Sequence, residues 1–250
     1  MNMRQEFQKN YQKWFGKDVL RAIKRYGLIE QGEKVCVALS GGKDSMTLLF
    51  ILQYLKQFSY LDFDLSAVHI KIGEYETGVL RAICESFEIE YLEDRLLLEQ
   101  RAPEKIRCYL CSRLKRGAIS NVLRQHEIQK VAYGHHADDV AETFLMNLIQ
   151  NRKLGSFSPK VEYANNPMIL IRPMIYLGEA TVQRIHQHIG LPVLDAPCPY
   201  ANDNIRRQYK QSIQQLNTIF RIKAFSKNVV AALENLDETN IWSRLVKELS

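Results

Sequence analysis

Lys34-Val35-Cys36-Val37-Ala38-Leu39-Ser40-Gly41-Gly42-Lys43-Asp44-Ser45 is the stretch whose reading decides the fold. Its first half is short, apolar and β-branched, the pattern of a buried strand. The stretch after it, Met46-Thr47-Leu48-Leu49-Phe50-Ile51-Leu52, reads as a core helix. A strand, two glycines and a helix aim free backbone N–H groups at an anion, a phosphate above all. The loop is not a Walker A sequence. That motif needs Gly five residues before Gly42 and Ser or Thr after the lysine, where Val37 and Asp44 stand here.

Outward from this loop, strands and helices alternate. Phe63 to Ile70 reads as a second strand, Thr77 to Phe87 as a helix, and Ile89 to Leu92 as a third strand. A basic helix over Cys108 to Gln125 leads to a fourth strand at Lys130-Val131-Ala132-Tyr133, and a helix follows from about Asp139 to Gln150. Such alternation predicts an α/β fold: an open, mostly parallel, doubly wound sheet. Before it, Phe7 to Tyr26 carries a helical apolar stripe that ends at Gly27, a C-cap. After it come Ile169-Leu170-Ile171-Arg172-Pro173, read as an edge strand, and a helix around Glu179 to Ile189. From about Asn202 onward the chain reads as amphipathic helix. Asn151 to Asn166 is polar and rich in Gly, Ser and Pro, and reads as a loop over the site.

The 250 residues suffice for one sizeable core with helical appendages, and 46% hydrophobic with 25% charged residues is ordinary for a soluble globular protein. No apolar run approaches a membrane span and the N-terminus lacks the apolar block of a signal peptide, so no membrane and a cytoplasmic location are the expectation. A net charge of +6 suits, without demanding, a partner with a phosphate backbone. Basic residues gather in Lys105 to Arg116, at Arg152-Lys153, and at Arg206-Arg207 with Lys210, where solvated helix faces account for them equally well.

A second motif, Gly134-His135-His136-Ala137-Asp138-Asp139-Val140-Ala141-Glu142-Thr143, begins where the fourth strand ends. Open α/β sheets bind ligands at the carboxyl ends of strands, so this turn can face the same crevice as Ser40 to Ser45. Asp139 and Glu142 stand at capping-box spacing, and a plain helix cap with turn histidines explains the run as well.

Of the five cysteines, Cys36 and Cys84 lie in apolar patterns and read as buried small hydrophobes. Cys108-Tyr109-Leu110-Cys111 puts two thiols on one helix face, with Lys115 on the same face. Such a pair is a redox couple, half of a metal site, or chance. No second such pair exists; only Cys198 remains, positioned between Pro197 and Pro199. Three thiolates without an evident fourth suggest an iron–sulfur cluster with one open iron, and zinc with a histidine is the other reading.

Ser40 to Ser45 resembles the PP-loop of ATP pyrophosphatases, which split ATP into AMP and pyrophosphate to activate a carbonyl-type oxygen. With Cys108 to Gly117, Gly134 to Thr143, Ile171-Arg172-Pro173 and Cys198 in the same order, the chain resembles the TtcA family of tRNA cytidine 2-sulfurtransferases from about Lys34 to Gln211. The resemblance implies ATP on Ser40, Gly41, Gly42, Lys43, Asp44 and Ser45, with Gly134 and Asp139 against the nucleotide. It implies Mg²⁺ held by Asp44 or Asp139, and a [4Fe-4S] cluster on Cys108, Cys111 and Cys198. His69 ends the second strand as a candidate for the adenosine pocket, or as a core or rim histidine. Lys43 would neutralise phosphate charge, Asp44 organise the metal, Lys115 assist proton transfer or sulfide positioning, and Cys198 complete the catalytic set. The implied partners are tRNA, a sulfur donor such as a cysteine desulfurase or free sulfide, and a second copy in a homodimer. The expected division is a helical segment over 1–30, a PP-loop domain over 31–200 and a helical extension over 201–250, in one globular unit.

Two departures bear on the substrate. Ala201 stands where the family pattern has a further cysteine, and the tail is short and divergent. Two other functions fit the same residues. One is a sulfurtransferase acting on a free nucleotide or small metabolite; the other is a non-catalytic redox sensor binding nucleotide and cluster.

Overall fold

The computed structural model describes residues 11–97, 108–164, 166–194 and 204–236. Helix α1 (Gln12–Tyr26) stops at Gly27, whose φ of 56° is the left-handed C-cap that only glycine adopts freely. Then follow β1 (Glu33–Ala38), α2 (Lys43–Phe58), β2 (Phe63–Lys71), α3 (Gly78–Ser86) and β3 (Glu90–Arg95). The chain continues through α4 (Cys108–Gln125), β4 (Lys130–Ala132), α5 (Ala137–Asn151), β5 (Lys160–Tyr163), β6 (Asn166–Ile171), α6 (Glu179–Ile189), α7 (Asn204–Ile219) and α8 (Phe225–Glu234).

The strands form one six-stranded sheet in the order β3-β2-β1-β4-β6-β5, parallel except for β5, which runs against β6. β1 sits between β2 and β4, with Val35 opposite Leu65 on one side and Lys130 on the other. From β1 the chain steps one way to β2 and β3, then returns across β1 to β4. That reversal makes the β1–β4 boundary the topological switch point, where such sheets leave a crevice at the carboxyl ends.

Alternation along the strands divides the core. Val35 and Val37 face a layer holding α1, α2, α3, α5 and α6, while Cys36 and Val131 face the other layer. Among the described residues α4 is the helix of that second layer, through Ile119, Val122 and Leu123. α2 is buried without interruption from Ser45 to Leu55, which is why its sequence is apolar all round.

Two expectations are corrected. Ile169 to Ile171 is not an edge strand: β6 is paired on both sides, with β4 and with β5. The edge is β5, inside the segment read as a loop. Three of its four residues, Lys160, Val161 and Tyr163, are half exposed and Glu162 is exposed, so the strand bears almost no apolar signature. β3 also runs on through Glu93, Asp94 and Arg95, polar residues that an edge strand tolerates on its open side. The C-terminal helices α7 and α8 pack on α5.

Candidate active site

β1 ends at Ala38 and α2 begins at Lys43, so Ser40, Gly41 and Gly42 must turn the chain within a few residues. Gly41 takes a φ of 84°, a backbone state that side-chain-bearing residues seldom adopt. A methyl there would also meet Leu194 Cβ at 2.5 Å. The Leu194 N–H in turn donates to the Gly41 carbonyl at 2.9 Å. Ser45, buried under the turn, donates its hydroxyl to the Gly42 carbonyl at 3.0 Å and accepts the Ser40 N–H at 3.1 Å. The loop is thus braced from within, and the N–H groups of the first turn of α2, which have no acceptor within the helix, open at its mouth.

The second motif docks on this loop through Gly134. A methyl at that position would lie 2.9 Å from the carbonyl carbon of Asp44 and 2.9 Å from the Ser45 nitrogen. Only a residue without Cβ brings the two turns together. α5 then starts at Ala137 rather than Asp139, and the cap is a different pair from the one expected. His136 is the N-cap, and its N–H donates to Asp139 Oδ2 at 2.9 Å. The buried His136 ring lies between the two turns, with Nε2 3.7 Å from Asp44 and Nδ1 3.4 Å from Asp139.

Above the β1–β4 boundary lies a cleft of about 480 Å³. Ser40, Asp44, Ser45, Gly134, His135 and Asp139 line it from the two turns, His69 from β2 and Tyr75 from the loop after β2. From α4 come Cys111, Ser112, Lys115 and Ile119. The nucleotide loop and the Cys111–Lys115 helix face therefore share one cavity. Cys108 is the first residue of α4, one turn before Cys111. Cys198 lies outside the described residues. Among the described residues no group of three or more His, Cys, Asp or Glu side chains could hold a metal ion.

Three of the expected loop residues sit differently. Gly41 and Gly42 serve the turn rather than the cavity wall. Lys43 points along α2 toward α6, with its ammonium 2.6 Å from Asp44 and 3.3 Å from Glu179. Burial works against that charge, but the two carboxylates outweigh it and hold Lys43 above the usual lysine range.

His69 is buried, and both its nitrogens are engaged. Nδ1 donates to the Leu39 carbonyl at 2.7 Å, so Nε2 is the acceptor for the Tyr75 hydroxyl at 2.9 Å. Burial, aided by Lys115 and Lys71, holds its pKa below the ordinary imidazole range, although the Leu39 carbonyl pulls the other way. It presents a neutral ring, not an open nitrogen, to the cleft.

Further residues join the site without having been assigned a role from sequence. Arg172 is buried, donates Nε–H to His135 Nδ1 at 3.2 Å and Nη1–H to the Ser158 carbonyl, and lies 4.4 Å over the Phe157 ring. Burial lowers its pKa to about 10. It fastens residues 157–159 beside His135. Asp138 faces away from the cleft: Oδ2 accepts the Glu179 N–H at 2.6 Å and Oδ1 the Ser226 hydroxyl at 2.8 Å. The paired acids of the motif thus divide the work, Asp139 toward the cleft and Asp138 toward α6 and α8. No local pattern separates them, because both belong to one helix turn.

Comparison with known proteins agrees with this geometry. Residues 3–216 match the family model of the PP-loop domain. The tRNA-cytidine(32) 2-sulfurtransferase of Idiomarina loihiensis is 35% identical over 213 residues, 82% of this chain and 70% of that protein. The protein of the same name from Syntrophotalea carbinolica is 32% identical over 237 residues, 91% of each chain. In fold, the U34-tRNA thiolase NcsA of Methanococcus maripaludis, solved with its [4Fe-4S] cluster, superposes with a TM-score of 0.73 at 21% identity, over 94% of this chain and 85% of that one. With the loop, the second turn and the α4 cysteine face in one cleft, the chain belongs to the PP-loop superfamily and, within it, to the tRNA-cytidine(32) 2-sulfurtransferase family.

Proposed function

We propose that this chain thiolates a tRNA base, in keeping with its family, by adenylating the C2 carbonyl oxygen of a cytidine and exchanging that oxygen for sulfur. The observation that carries the reading is the shared cleft: an anion-binding turn and a thiol-bearing helix face open into one volume. ATP phosphates lie at the N-terminus of α2, held by the Ser40–Ser45 backbone. The base oxygen attacks the α-phosphorus, the bond from phosphorus to the bridging oxygen breaks, and pyrophosphate leaves. Sulfide then attacks C2, the C2–O bond breaks, and AMP departs. Lys43 neutralises charge on the departing pyrophosphate. Asp44 and Asp139, which both line the cleft, would hold Mg²⁺, a cation that takes one or two carboxylates plus phosphate oxygens.

The donor set fits a three-cysteine cluster. Cys111 faces the cleft, Cys108 precedes it by one turn, and no acidic residue stands in the first turn of α4. Cys198 is the third ligand in this reading. When bound, a [4Fe-4S] cluster supplies an open iron for the sulfur to be transferred. Lys115, one turn after Cys111 and lining the cleft, holds a positive charge beside the incoming sulfide.

Anaerobically purified protein given sulfide, Mg-ATP and bulk tRNA should yield 2-thiocytidine by nucleoside mass spectrometry. Intact cluster and bound ATP with no thionucleoside would sink the reading. Cys198→Ala should abolish thiolation while ATP binding persists.

A further inference from the structure

Lys43, Glu179 and Lys210 form a relay of charges beside the cleft rather than within its lining. A single carboxylate oxygen, Glu179 Oε1, lies 3.3 Å from the Lys43 ammonium and 2.5 Å from that of Lys210. The two cations come from different elements, α2 and α7. The Glu179 backbone is anchored, since its N–H donates to Asp138 Oδ2 at 2.6 Å. Its side chain is 20% exposed, against 31% for Lys43 and 43% for Lys210, so the carboxylate is the best-shielded member. Burial pushes its pKa up, but the two ammonium groups together hold it below the usual carboxylate range.

An oxygen shared between two cations binds each less tightly than it would bind one alone. Phosphates arriving at the loop must draw Lys43 away from Glu179, and the strength of the Glu179–Lys210 pair sets how hard Glu179 resists. We propose that Glu179, alongside Asp44, is a positioning residue of Lys43, and that Lys210 promotes ATP binding by engaging Glu179 as Lys43 turns to the phosphates. The inference rests on the reading of the loop as an ATP site. Linkage is reciprocal, so ATP should tighten the Glu179–Lys210 contact and steady α7.

Calorimetric titrations of the full chain with Mg-ATP and with AMP test this. Lys210→Met leaves Glu179 to Lys43 alone and should weaken ATP binding about five-fold, at the low end of couplings between linked sites, with AMP binding unchanged. Lys210→Arg should restore the wild-type affinity. In a Glu179→Gln background, which keeps the backbone bond to Asp138, Lys210→Met should have no effect on ATP. Amide exchange in α7 should slow when ATP binds to the wild type and not to Glu179→Gln. Equal losses for ATP and AMP, or a Lys210→Met effect that persists without Glu179, would overturn the proposal. ATP binding indifferent to Lys210→Met overturns it alone, whereas a wild-type chain that binds no ATP overturns the proposed function as well.

Discussion

Gly134 owes its identity to its neighbours, not to its own backbone. A methyl there would press on main-chain atoms of Asp44 and Ser45 at 2.9 Å, and main chain at a helix N-terminus cannot move aside as a flexible side chain does. Gly134→Ala should therefore cost about 2 kcal/mol, within the range for overpacking, and weaken ATP binding by opening the two turns. Thermal unfolding and nucleotide titration check both; unchanged values would mean that the turns are not in contact. His69 makes a pH prediction. Its folded pKa lies below that of the unfolded chain, so the unfolded chain takes up a proton that the fold refuses. Its contribution is intact above about pH 6.5, the ordinary imidazole value, and is lost as pH falls through the folded pKa. Urea unfolding at about pH 7.5 and about pH 5.5 should show wild type losing more stability than His69→Gln. At this scale the sequence marked out the chemistry-bearing residues but not their partners. Both His69 nitrogens are engaged, one by Leu39 of a distant strand end and the other by Tyr75 just beyond β2, and Lys43 turns toward α6 to meet Glu179.

β4 is an element of three residues, yet it borders the switch point and pairs with both β1 and β6. At its start the buried Lys130 ammonium meets Glu33 of β1 at 2.5 Å. This pair ties the start of β4 to β1 beneath the site. Glu33→Gln leaves a buried ammonium facing an amide, and because Glu33 is partly exposed the cost should be about 2 kcal/mol, below that of breaking a fully buried pair. Chemical denaturation measures it, and a change under about 0.5 kcal/mol, the level of an ordinary surface substitution, would show the pair to be incidental. Long helices were legible: α2 from its apolar run, α4 as a basic helix and α6 from its apolar stripe lie close to where the sequence puts them. β5 was not, since four residues of an edge strand, none of them buried, carry no pattern to read. The start of α5 shifted to Ala137 because a carboxylate at its third position, Asp139, reaches back to the His136 N–H.

Across the described residues, the buried cysteines separate by layer. Cys36 is buried in the α4 layer and Cys84 in the opposite layer, and burial pushes each thiol up to about 12. Neither should react with a thiol reagent at neutral pH until the chain unfolds, so their alkylation rates should match each other and track global unfolding. Cys111, half exposed at the cleft, should react in the cluster-free native protein. Mass-mapped alkylation with increasing urea checks this; early reaction of Cys36 or Cys84 would mean local opening. By itself the sequence determined the α/β class, the anion-binding turn after β1 and the set of thiols, because each is written in local spacing and hydrophobic period. Only the tertiary structure decided that β5 closes the sheet edge, that Gly134 joins the two turns, and that Glu179 links Lys43 to Lys210. Those contacts join residues far apart along the chain, and local pattern carries no information about which distant atoms the fold will bring within bonding distance.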